Sequence, residues 1–203
     1  MRFRLQATVG SALAIIALSL SLSIPTSAHA STANATASHP AGSGLAETEM
    51  YITGFNAAVA KAHGYEILKN SQGEEYSVKI GSKISSGDPV ITGNCGDSYI
   101  YYAAIGYRSA SPHYGASTTT GYDVTNDVDY GYWSAIYSDS AGTGTVSNYS
   151  ATNGTPYWSS SYDTWHSVTG YSLGTVSEAS YVILVNGAIC YSAGPWESTT
   201  LYK

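Results

Sequence analysis

Tyrosine supplies almost all the aromatic bulk of this chain, with 19 Tyr against 2 Phe and 4 Trp. A tyrosine ring fills an apolar slot while its hydroxyl asks for water or a partner. A chain built this way has many half-wet aromatic positions, which suit thin sheets with a solvated face, or binding surfaces. The pattern along the chain agrees. From Ser98 to Tyr107, residues Tyr99, Tyr101, Ala103, Ile105 and Tyr107 share one face of a strand, and Ile100, Tyr102 and Ala104 share the other. Apolar groups on both faces predict an interior strand.

Further strand signals recur along the chain. Tyr65 to Leu68 and Tyr76 to Ile80 flank Asn70-Ser71-Gln72-Gly73 and predict a hairpin, and Pro89 to Thr92 forms a short strand. Later strands are expected at Thr118 to Val124, Tyr130 to Ser138, Gly144 to Ser150, Thr164 to Leu173 and Ala179 to Tyr191. In the last of these, Asn186-Gly187 either turns the chain into a hairpin or bulges one long strand, and the hairpin is preferred. One segment follows a different period. Between Leu45 and His63, residues Ile52, Phe55, Val59 and Ala62 recur at spacings of three and four, with Gly64 as a natural C-cap. The expected fold is therefore mainly β, an antiparallel β-sandwich or barrel with one N-terminal amphipathic helix, formed by a single domain over residues 45–203.

The first thirty residues follow an export pattern. Arg2 and Arg4 precede an apolar run from Val9 to Ile24, and Ala28-His29-Ala30 offers a small-x-small cleavage site, so residues 1–30 are expected to be a signal peptide. Residues 31–44, rich in Ala, Ser, Thr and Gly, are expected to be a flexible lead or propeptide. The protein is thus expected to be secreted and extracellular. No later stretch is long and apolar enough to span a membrane by a helix. Without Arg2 and Arg4 the chain keeps six basic and fourteen acidic residues, a net charge near −8. That sign repels phosphates and anionic lipid surfaces, so nucleic-acid partners are not expected. Cys95 and Cys190, an even pair in an oxidising compartment, are expected to form one structural disulfide.

No motif declares a reaction. The densest chemical signal is aromatic: Tyr132, Trp133, Tyr157, Trp158, Tyr162 and Trp165 stand among Ser, Asp and Gly. Sugar rings stack their C–H faces on such rings while short polar side chains bond the hydroxyls. These six residues are the expected site for an extracellular carbohydrate or cell-surface ligand. Two other classes stay open. Asp163 and His166 place an acid and a base close together among serines, the minimum for a small extracellular hydrolase, although no nucleophile elbow is present. A secreted inhibitor or toxin-like protein acting through a loop fits the acidic, disulfide-bonded composition equally. No cofactor is required; the acidic loop with Asp123, Asp127 and Asp129 begins like a calcium loop but lacks its terminal Glu, and turn-forming Asx residues explain it without a metal.

Overall fold

The computed structural model describes residues 44–82, 93–151 and 154–203. The segment expected to be a signal peptide, residues 31–43 of the lead expected up to residue 44, and the strand expected at Pro89 to Thr92 lie outside the described residues. The elements run β1 (Leu45–Phe55), α1 (Ala57–Ala62), β2 (Tyr65–Lys69), β3 (Glu75–Lys79), β4 (Asn94–Arg108), β5 (His113–Val124) and β6 (Val128–Asp139). They continue with β7 (Gly142–Ala151), β8 (Tyr157–His166), β9 (Gly170–Val176), β10 (Tyr181–Leu184), β11 (Ala188–Tyr191) and β12 (Trp196–Leu201). The chain is mainly β, and its sheets are antiparallel.

The N-terminal segment departs from expectation. Leu45–Phe55 is a strand, and helix is confined to the six residues of α1. The segment also carries a period of two: Ala46 and Met50 are buried while Glu47, Glu49, Tyr51 and Thr53 are exposed. β1 pairs with β4 on one side and β11 on the other, so its backbone bonds are satisfied across the sheet. Asn56 then stops the strand and starts the helix, its side-chain oxygen accepting the amides of Ala58 and Val59 at 3.1 and 3.2 Å. Val59 and Ala62 follow that cap, so the helical spacing belongs to one turn and a half of chain only.

Ten strands form one sheet in the order β12-β9-β6-β10-β11-β1-β4-β5-β8, with β7 added to β6; β2 and β3 make a separate hairpin as expected. The sheet curls so that distant strands face each other. Trp133 of β6 donates its indole N–H to Thr120 Oγ1 of β5 at 3.0 Å. Tyr102 of β4 meets Ser172 Oγ of β9 at 2.7 Å, and the Ala104 amide donates to Thr199 Oγ1 of β12 at 3.1 Å. Between these layers lie Met50, Ile100, Tyr122, Val128, Trp133, Val176, Val182 and Leu184, all buried. β4 lies between β1 and β5, but it is not buried on both faces as expected for Ser98 to Tyr107: Tyr102 is 1% exposed and Tyr101 is 39% exposed.

Turn chemistry fixes the strand ends. The β10–β11 hairpin forms through a three-residue loop, Val185-Asn186-Gly187, closed by the Gly187 amide on Leu184 O at 2.7 Å. Gly187 takes φ +88°, which glycine adopts without a Cβ penalty. The strand expected at Thr164 to Leu173 is instead the end of β8 and the start of β9, divided before Gly170 at φ +101°. Cys95 of β4 and Cys190 of β11 form the expected disulfide, with Cα atoms 6.3 Å apart and both residues fully buried. It joins the two strands that flank β1.

Candidate functional site

Strand alternation separates the six aromatic candidates. On β8, Tyr157 and Trp165 share a face with Ser159, Ser161 and Asp163, whereas Trp158, Tyr162 and His166 take the other. Trp133 is 1% exposed, and Trp158 packs between it and Tyr122, with ring centroids 6.2 and 5.9 Å away. Both indoles are therefore core residues. Tyr132 is half-buried beside Tyr181 on the neighbouring strand, at 6.5 Å. Tyr157 and Tyr162 are exposed, on opposite faces of β8. The six do not form one platform.

Of the six, Trp165 lines a cleft. This space, about 190 Å³, is bounded by His113, Tyr137, Asp139, Ala141, Gly142, Thr143, Trp165, His166 and Ser167. It lies where the β6–β7 turn meets the end of β8. Gly115, paired with Trp165 across β5, leaves room for the indole to lie over the backbone: a Cβ there would stand 3.0 Å from two ring carbons. Arg108 covers the indole, its guanidinium carbon 3.6 Å from the ring centroid.

The floor of the cleft is a buried polar chain. His166 Nδ1 donates to Asp139 Oδ2 at 2.7 Å, with the two side chains 0% and 3% exposed. Because an ionised carboxylate only accepts, this bond places a proton on Nδ1, while Nε2 lies 2.8 Å from Thr164 Oγ1 and 3.3 Å from Tyr102 OH. Tyr137 stands edge-on to the imidazole, centroids 4.4 Å apart. Burial by itself raises the Asp139 carboxyl, but hydrogen bonds from His166 and the Ala141 amide, the His166 charge and the Gly142 amide outweigh it. The group is held below the usual aspartate range. Burial pushes the Tyr102 phenol up, aided by Asp139 and Tyr137 and opposed by bonds with Ser172 and Thr164.

The partner of His166 is thus Asp139, not Asp163. Three residues along a strand place two side chains on opposite faces, so Asp163 is exposed while His166 is covered. The sequence around Asp139 signals only a tight turn, and its Oδ1 indeed accepts the Ala141 amide at 2.7 Å. Nothing local announces a partner 27 residues away. The order Asp139, His166, Thr164 has the sequence of acid, base and hydroxyl used by hydrolases. Here both ring nitrogens are engaged and the imidazole is sealed, so the chain braces the β6–β7 turn against β8.

The acidic candidates are spread out. Asp123 of β5 sits opposite Asp97 of β4, which sits opposite Glu49 of β1. Burial and then the neighbouring charges of Glu47, Glu49 and Asp123 raise the Asp97 carboxyl. Asp127 is exposed, and Asp129 accepts from His63 Nε2 at 2.8 Å. Among the described residues, no group of three or more His, Cys, Asp or Glu side chains is placed to hold a metal ion. No helix among them is long and apolar enough to cross a membrane. Comparison with family models, with curated proteins and with solved structures finds no match for the chain.

Proposed function

We propose that this chain is a secreted binding protein for a carbohydrate or cell-surface glycan, held in the cleft at Trp165. The export pattern of residues 1–30 supports the compartment, and the buried disulfide is at home there. The curled sheet is read as an antiparallel sandwich, with the cleft at one end of its edge strands β7 and β8. The observation that carries the functional reading is the composition of that cleft. Two aromatic rings, Trp165 and Tyr137, stand beside His113, Thr143 and Ser167, which bear short or forked hydrogen-bonding groups. That combination fits a sugar ring, with one apolar face and a rim of hydroxyls.

The test is a glycan array followed by pull-down on insoluble polysaccharides. Trp165→Ala is expected to weaken binding at least about tenfold, the loss typical of a central aromatic anchor, while the far-UV spectrum stays unchanged. Tyr162→Ala, on the opposite face of β8, is expected to bind as the wild type does. Absence of any wild-type binding, or equal loss in both variants, contradicts the reading. Trp158→Ala is not a useful probe, because its indole packs on Trp133 and Tyr122 and its removal reports on core stability.

A further inference from the structure

Arg108 is the only arginine after Arg4. In a chain of net negative charge, an arginine usually finds a carboxylate, yet among the described residues Arg108 makes no ion pair. Its guanidinium carbon instead sits 3.6 Å from the ring centroid of Trp165, which lines the cleft. A guanidinium held over an aromatic ring retains N–H donors that match the two oxygens of a planar or tetrahedral anion. His113, also lining the cleft, is the register partner of Arg108 across β4 and β5. Lys203 sits 5.4 Å over the ring of Tyr107, the residue before Arg108. Two cations, Arg108 and Lys203, therefore lie at this end of the sheet.

The carboxylates of the same strands lie at the other end. Glu49, Asp97 and Asp123 form one cross-strand row, with Glu47 two residues along. Asp97 and Arg108 are eleven residues apart on β4, roughly 35 Å of extended chain. At that distance the acidic row is screened from the cleft. Nearer groups leave the guanidinium free. Asp163 is on the face of Trp165, two residues before it, but makes no ion pair with Arg108. Asp139 lines the cleft with its oxygens committed to His166 and the Ala141 amide.

We infer that the cleft selects a sugar bearing an anionic group, a uronate carboxylate or a sulfate ester, with Arg108, carried on the Trp165 indole, as the fork that holds the anion. This inference rests on the carbohydrate reading above. A neutral sugar needs the ring and the hydroxyl partners but gives an uncommitted guanidinium nothing to do.

The experiment measures binding of the full mature chain to polygalacturonate, to a sulfated galactan and to neutral galactan, at about 0.15 M salt. At least one acidic polymer is expected to bind about ten- to a hundredfold tighter than the neutral one, the range for a hydrogen bond to a charged group. Arg108→Gln is expected to abolish that preference. Arg108→Lys, a point charge without the fork, is expected to recover only part of it. Lys61→Gln, on α1, is the control and is expected to change nothing. The acidic polymer that gives the larger preference identifies carboxylate or sulfate as the anion. Equal binding of neutral and acidic polymers, or a preference indifferent to Arg108→Gln, overturns the inference while the carbohydrate reading stands. Failure to bind any glycan of this set or of the array overturns both.

Discussion

Asp139→Ala is expected to destabilise the protein by about 3–5 kcal/mol, because it leaves the sealed imidazole of His166 without the acceptor that fixes its proton. For a chain of this size that lowers the melting temperature by roughly 10 °C. Differential scanning calorimetry reads it directly. Asp139→Asn keeps an acceptor in place and is expected to lose less. The pair also predicts a direction in pH. In the unfolded chain the Asp139 carboxyl titrates near the ordinary aspartate value, about 3.9, and in the folded protein it lies lower. As pH falls, the unfolded state therefore takes up its proton first. The stability contributed by Asp139 is whole above about pH 5 and is lost as pH falls through the folded value. Wild type is expected to lose stability more steeply than Asp139→Asn between about pH 5 and 2. Parallel profiles would mean that the carboxylate does not anchor His166. If the acid–base–hydroxyl order served catalysis, Asp139→Ala would abolish turnover of an ester, peptide or glycoside at unchanged melting temperature, the opposite of the result expected here.

Loss of the disulfide is the second large effect. Cys95→Ala combined with Cys190→Ala is expected to cost about 2–5 kcal/mol, since 95 residues separate the two cysteines and the unfolded chain gains the freedom of that loop. Urea denaturation gives the figure as a lower midpoint, and reduction of the wild type is expected to reproduce it. The position of the bond adds a local expectation. β1 runs between the two bridged strands, so amides of Thr48 to Ile52 are expected to lose the most hydrogen-exchange protection. An unchanged midpoint would show that pairing alone holds β1 in place.

Much of the architecture is legible in the chain because strand alternation is a local signal. The tyrosines of β4 show both what that signal gives and what it withholds. Tyr99, Tyr101 and Tyr102 mark an interior strand, and β4 lies between β1 and β5. Yet Tyr102 is 1% exposed while Tyr101 is 39% exposed, because only one face of β4 is covered by another layer. Layering depends on the curl of the whole sheet, which no local period encodes. β1 failed for a related reason. Its residues satisfy a period of two and a period near 3.6 at once, and the neighbours β4 and β11 decide between them.

The site was less legible than the fold. Trp133 and Trp158 look like Trp165 in composition, and only the fold separates core indoles from the one at the cleft. Asp163 is near His166 in sequence but across the strand in space, whereas Asp139 reaches the ring through a hairpin turn. Arg108 carries no local signal beyond being the one arginine after Arg4, and its meaning comes from the indole beneath it.

The indole N–H resonances of the four tryptophans offer the most direct test of the cleft. Titration of the folded chain with an oligogalacturonate, and separately with its neutral galactose counterpart, is expected to shift the Trp165 signal. Trp133, whose N–H is bonded to Thr120 inside the core, is expected to stay fixed. A shift confined to the exposed Trp196, or no shift with either sugar, would contradict a binding site at Trp165.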